Sequence, residues 1–285
     1  MGVALAEVGF EVRDMISWIY TSGFPKSLDI SKAIDSKLGV ADQREVIATE
    51  QRYNEPSGIV NIGQGERVKI ERKITKAHSP QAKQYQGWGT ALKPAQEPAI
   101  LARKPIDSDC STVAENVLKW GTGAINIDAG RFAYGDDCNF GNTDELDHEI
   151  GRWPANVYQC KKPQRSEKEQ GLDHLSDHVS AAVETHGKDS KGLNSPRAGA
   201  GRTAEHVKNF HPTVKPIKLM RWLCRLLTPQ GGTVLDPFLG SGTTAVSAIL
   251  EGFNAVGCEM TEDYYPIIQG RVNWAKAERN REILD

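Results

Sequence analysis

Apolar residues recur at helical spacing in several stretches of the chain. Residues 217–227 carry Leu219, Met220, Trp222, Leu223, Leu226 and Leu227, which predict a strongly apolar helix. Pro216 suits its first turn, and Thr228-Pro229-Gln230-Gly231-Gly232 stops it. Residues 111–120 read as an amphipathic helix with Val113, Val117, Leu118 and Trp120 on its apolar face. A charged amphipathic helix is expected over 263–284, packing through Tyr264, Ile267, Ile268, Val272 and Trp274. Near the start, residues 2–9 read as the last turns of a helix ending at Gly9, and 30–37 as a further helix. Residues 10–20 read as two short β-prone runs, and 99–103 as a strand.

The pattern is sharpest at residues 233–259. A short apolar run, 233–235, predicts a buried strand, and Gly240 and Gly242 break it before a helix starting near Thr243. Such a turn presents backbone N–H groups and the positive end of a helix dipole to a ligand that is small and partly anionic. A second short strand, 254–258, ends on Glu259. A phosphate loop needs Gly-x-x-x-x-Gly-Lys and a dinucleotide site needs Gly-x-Gly-x-x-Gly, and neither is present. An acidic residue closing the second strand suits ribose hydroxyls. The pair therefore suits an adenosine ligand without a phosphate.

Between these elements the pattern weakens. Residues 41–86 are polar and read as a solvent-facing insertion, in which 67–76 form either a strand pair or a solvated arm. Two proline corners, at Pro94 and Pro98, fix a loop that follows Trp88 and Lys93 and includes Glu97. Gly121-Thr122-Gly123 ends the helix over 111–120, and after Phe132, to about residue 208, the chain is rich in Gly, Ser, Asp, His, Lys and Arg; a long irregular stretch inside a domain is functional or mobile.

Composition narrows the classes. The 285 residues are 39% hydrophobic and 25% charged, a globular balance with room for a sizeable core. The net charge of −2 gives no overall basic field, so any nucleic-acid contact must come from local patches. Five cysteines without a Cys-x-x-Cys pair argue against a disulfide framework and a zinc ribbon, and no metal is expected. No membrane span or secretory pattern is present, so the expected location is cytoplasmic.

Asp236-Pro237-Phe238-Leu239-Gly240-Ser241-Gly242-Thr243-Thr244, preceded by His211-Pro212-Thr213-Val214-Lys215-Pro216 and followed by Glu259, resembles the S-adenosylmethionine site of bacterial and phage amino-methylating DNA methyltransferases. The order of the segments is most similar to the permuted subgroup, whose cofactor half is C-terminal. The resemblance implies an α/β fold with a Rossmann-like, incomplete methyltransferase sheet and an inserted loop-rich target-recognition region. It divides the chain into 1–105, the second half of the sheet with a polar insertion; 106–208, target recognition; and 209–285, the cofactor-binding half.

It also implies roles. Asp236 to Gly240 lie along the methionine part with Asp236 at its ammonium, Phe238 walls the adenine or sulfur, and Glu259 takes the ribose hydroxyls. Pro237, Ser241, Gly242, Thr243 and Thr244 complete the loop, and Thr213 and Lys215 close over the carboxylate. Trp88, Lys93 and Glu97 border the target-base pocket, with a loop that merely braces the sheet edge as the alternative. Lys161, Lys162, Arg165 and Arg202 contact double-stranded DNA.

One part of the family pattern is missing. Amino methylation needs Asp, Asn or Ser followed by Pro-Pro and an aromatic residue, and the sequence contains no Pro-Pro pair. In the permuted order that motif precedes Gly2, so a truncated or split enzyme is expected, with a separate chain as one source of the catalytic half. The alternative is an inactive DNA- and cofactor-binding remnant, for example of a prophage. Adenine N6 and cytosine N4 targets are not distinguished.

Overall fold

The computed structural model describes residues 1–20, 27–53, 69–131, 151, 153–178 and 207–284. In chain order the elements are α1 (Gly2–Glu7), β1 (Glu11–Ile19), α2 (Ile30–Lys37), β2 (Val46–Tyr53), β3 (Lys69–Thr75), α3 (Pro80–Gln84), β4 (Gln96–Arg103) and α4 (Val113–Trp120). They continue with β5 (Val157–Gln159), α5 (Arg165–Lys168), α6 (Ile217–Leu227), β6 (Thr233–Asp236), α7 (Thr243–Leu250), β7 (Asn254–Gly257) and α8 (Tyr265–Leu284). The chain forms two compact units, one of Met1–Ser22, Gln96–His178 and Val207–Asp285, the other of Gly23–Ala95 and Val179–His206.

In the first unit, β1 lies between β4, antiparallel, and β5, parallel. Residues 10–20 thus form one strand and not two runs; a register shift between Val12 and Asp14 absorbs the break in the pattern. β4 starts at Gln96, before the expected 99, because Pro98 opposite Ser17 sits on an edge strand where a missing N–H is tolerated.

Alternate residues of β1 (Ile16, Trp18) and the following Tyr20 are buried against Tyr158 and the Leu219, Trp222 and Leu226 stripe of α6. Period two on the strand meets period 3.6 on the helix. The buried indoles are satisfied: Trp18 Nε1 donates to the Cys160 carbonyl and Trp222 Nε1 to the Gly130 carbonyl, each at 3.0 Å. Tyr158 and Trp222 pack ring to ring at 4.8 Å.

The other sheet of this unit is the parallel pair β6 and β7, in register from Thr233 opposite Asn254 to Asp236 opposite Gly257. α6, α7 and α8 form a second core through Ile217, Val246, Leu250 and Ala275. In α4, Leu118 and Trp120 are exposed, and the buried residue is Asn116. Both ends of the Asn116 amide are hydrogen-bonded: its Oδ1 accepts from the Asp107 N–H at 2.9 Å and its Nδ2 donates to the Thr122 carbonyl at 2.8 Å.

In the second unit, β2 and β3 pair antiparallel, which makes Lys69–Thr75, within the expected 67–76, one strand of a pair. Its polar centre is Asp35 on α2, fully buried, which accepts from Ser79 Oγ at 2.6 Å, from the His78 and Ser79 N–H groups, and from Arg44. Burial pushes the Asp35 carboxyl up, but these hydrogen bonds outweigh it and hold it well below the usual carboxylate range.

Candidate functional site

The glycine loop joins β6 to α7 at the C-terminal ends of two parallel strands. Its shape is fixed by the chain itself. Asp236 Oδ1 accepts the Phe238 N–H at 2.9 Å, and the Leu239 N–H reaches across to the Cys258 carbonyl at 2.9 Å. Glu259, just past β7, accepts the Gly240 N–H on Oε2 at 2.7 Å and the Thr261 N–H on Oε1 at 2.9 Å. The Thr261 N–H, and then the Gly240 N–H, hold the Glu259 carboxyl below its ordinary range. The Thr261 side chain also hydrogen-bonds the carboxylate, whose two oxygens together offer about four acceptor sites.

Gly240 and Gly242 both have positive φ, +56° and +80°. At Gly240 a Cβ would also stand 2.7 Å from His211 Nε2. The loop and the 211–216 segment therefore touch through a glycine. Helix α7 begins at Gly242 without a side-chain cap, and Phe238 is 87% exposed beside it. Gly240, Ser241, Gly242 and Thr243 are buried, Asp236 and Thr244 are half-buried, and Pro237 is exposed.

His211 Nδ1 accepts the Thr213 N–H at 3.3 Å, which requires a neutral imidazole. Burial lowers its pKa below the ordinary value, against the opposing pull of the Glu259 carboxylate. Behind the loop lies a residue the sequence pattern did not single out. Arg271 on α8 is fully buried and donates from Nη1 to the Ser241 carbonyl (2.8 Å), Ser241 Oγ (3.0 Å) and Thr243 Oγ1 (2.9 Å). Its signal was legible: Ile267, Arg271 and Ala275 share one face at i, i+4 spacing, a cation on an apolar stripe.

Three residues expected in different roles meet in space. Glu97 on β4 pairs with Lys162 at 3.1 Å and with Lys215 at 3.5 Å. Lys162 also stands over the Tyr20 ring at 4.1 Å. Lys215 further donates to the Thr213 carbonyl at 3.4 Å. A single carboxylate thus joins the segment expected at the cofactor carboxylate to the segment expected on DNA.

A model of the DNA methylase family matches residues 1–270. The chain belongs to this family. Among curated relatives, the type II methyltransferase M.HindIII of Haemophilus influenzae is 27% identical over 191 residues, which are 67% of this chain and 44% of that protein. The type II methyltransferase M.ScaI of Streptomyces caespitosus is 39% identical over 78 residues, 27% of this chain and 26% of the relative. The chain thus spans less than half the length of these relatives. Among solved structures, the PvuII DNA methyltransferase (cytosine-N4-specific) is 14% identical, with a TM-score of 0.41, covering 97% of this chain and 59% of that one.

The remaining candidates of this DNA methylase chain fall in different places. Arg165 is held by both oxygens of Glu169, at 2.9 and 3.0 Å, which fixes its guanidinium within the first unit. Lys161 is exposed there. Trp88 and Lys93 belong to the second unit, where Trp88 is 63% exposed and packs edge-on against Tyr85. Arg202 lies outside the described residues. A cavity of about 740 Å³ in the first unit is lined by Arg103, Asn116, Trp120 and Leu227 among others, and no residue of the glycine loop lines it. Among the described residues no helix is long and apolar enough to cross a membrane.

Proposed function

We propose that this chain provides the S-adenosylmethionine-binding and DNA-contacting part of a site-specific DNA amino-methyltransferase. The observation that carries the reading is the Glu259 carboxylate tied to the Gly240 N–H, beside Asp236 on the neighbouring strand and the exposed Phe238. Two carboxylates, one apolar wall and an uncapped helix start suit a ligand with ribose hydroxyls, an ammonium and an adenine. Among the described residues at the loop the cation is the buried Arg271, which leaves no exposed basic side chain on the loop itself for a phosphate chain.

When bound, S-adenosylmethionine supplies a sulfonium methyl group for attack by an exocyclic amine. The residues of this chain hold and orient the donor: Glu259 at the ribose, Asp236 at the ammonium, and Thr213 and Lys215 at the carboxylate, where a charge-assisted hydrogen bond is strong. Lys161, Lys162 and Arg202 give the DNA side its charge, which governs non-specific affinity. The 285 residues hold no Pro-Pro-aromatic segment, so acceptor activation has no residues of that kind here. A separate chain as its source rests on segment order alone.

The reading is tested by photolabelling with methyl-labelled S-adenosylmethionine and, in a separate incubation without irradiation, by mixing the chain and the labelled cofactor with duplex DNA. Label on the 236–244 peptide, competed by S-adenosylhomocysteine, and none in the DNA, is expected. Label elsewhere in the chain would overturn the cofactor assignment, and label in the DNA would overturn the expectation of no transfer. The inactive DNA- and cofactor-binding remnant is the second reading, favoured by the same missing segment.

A further inference from the structure

Arg271 is an expensive residue where it stands. Its relative exposure is 0%, and it lies on the stripe of α8 that otherwise packs Ile267 and Ala275. A single nitrogen, Nη1, makes all three hydrogen bonds to Ser241 and Thr243, while Nε and Nη2 are buried without a partner among the described residues. A buried cation with unsatisfied donors is costly, because a charge taken out of water is compensated only by well-placed partners. Burial pulls its pKa down to about 10, against the opposing pull of Glu167.

The neighbourhood makes the placement worse. Ser241 and Thr243 flank Gly242, the N-cap of α7, whose dipole already places positive charge at this end. Helix geometry alone disfavours a cation here. An apolar side chain at 271 would continue the stripe, satisfy no donor and need none. What the guanidinium supplies in return is a fixed position for the Ser241 carbonyl and two hydroxyls, and a positive potential under the loop.

We propose that Arg271 is a positioning residue for the cofactor loop: it holds Ser241–Thr243 from beneath, so that the start of α7 stays fixed at the amino-acid end of S-adenosylmethionine. The inference rests on the cofactor reading above for its ligand, while its claim about the loop stands on geometry alone. Arg271 touches no reacting atom. It acts through the two residues it binds.

The test uses the full chain and the variants Arg271→Met and Arg271→Lys, with S-adenosylhomocysteine and methylthioadenosine as probes, the second lacking the amino-acid end. Expected for Arg271→Met is a loss of about tenfold in S-adenosylhomocysteine affinity, which is about 1.4 kcal/mol, with a smaller loss for methylthioadenosine. Amide exchange at Ser241–Thr243 should quicken in the same variant, and Arg271→Lys should restore part of both. Equal losses for the two probes would reduce Arg271 to general stability and overturn the proposal. If the wild-type chain binds neither probe, the cofactor reading fails, and the exchange measurement still decides Arg271: unchanged protection at Ser241–Thr243 in Arg271→Met overturns its role. Should Arg271→Met not fold, Arg271→Lys alone carries the same comparison.

Discussion

Glu259 Oε2 stands 2.7 Å from the Gly240 backbone nitrogen, so the residue that ends the second strand also pins the turn that ends the first. A carboxylate that accepts two backbone N–H groups is oriented before any ligand arrives. Preorganised acceptors of this kind lower the ordering cost of binding. In this chain the same contact links fold and site, because β6 and β7 bring the two residues together only in their observed register.

The opposite side of Gly240 gives a first prediction. Its φ of +56° and the 2.7 Å approach of a built Cβ to His211 Nε2 leave no room for a side chain. Gly240→Ala should destabilise the chain by about 1–3 kcal/mol, the usual cost of one strained backbone position. Urea unfolding, with the midpoint falling at unchanged slope, checks it.

Acid should loosen the loop, and the sign follows from two groups. Burial holds the His211 pKa below 6.5, so the unfolded chain takes up this proton first as pH falls. The His211 contribution is therefore complete above about pH 6.5 and is lost as pH falls through the lower folded value. Glu259, held below 4.5, adds a second loss at more acid pH. Melting temperatures should fall from pH 7.5 to pH 5.5, and His211→Gln should flatten that interval.

The shared carboxylate of Glu97 gives a third prediction. It neutralises part of the charge of Lys162 and Lys215. Glu97→Gln should release both lysines and strengthen non-specific duplex binding a few-fold, with the salt dependence steeper by about one unit of slope. Fluorescence anisotropy over a salt series measures both quantities. An unchanged slope would show that neither lysine meets phosphate.

Much of this arrangement was legible in local pattern. Helices 30–37 and 217–227, and the strand-turn-helix at 233–250, stand where periodicity and glycines place them, because each is specified within one stretch. β5 was not, since three residues inside a loop-rich region carry no period. In α4 the apolar pattern misleads: Leu118 and Trp120 face outward while Asn116 is buried, its amide satisfied by neighbours that a pattern does not show. Glu97, Lys162 and Lys215 were each legible as candidates, and Arg271 as a cation on an apolar stripe, but the groups they bind were not. Their partners are distant in sequence, and only the folded chain brings them together.

The loop from Asp236 to Thr244, with Glu259, is proposed to take an adenosine ligand without a phosphate. Isothermal titration of the purified chain with S-adenosylmethionine and, separately, with ATP tests it most directly. Saturable binding of S-adenosylmethionine, weakened about tenfold or more by Glu259→Ala and absent for ATP, is the predicted result. Binding of ATP with equal or greater affinity, or S-adenosylmethionine binding indifferent to Glu259→Ala, would contradict it.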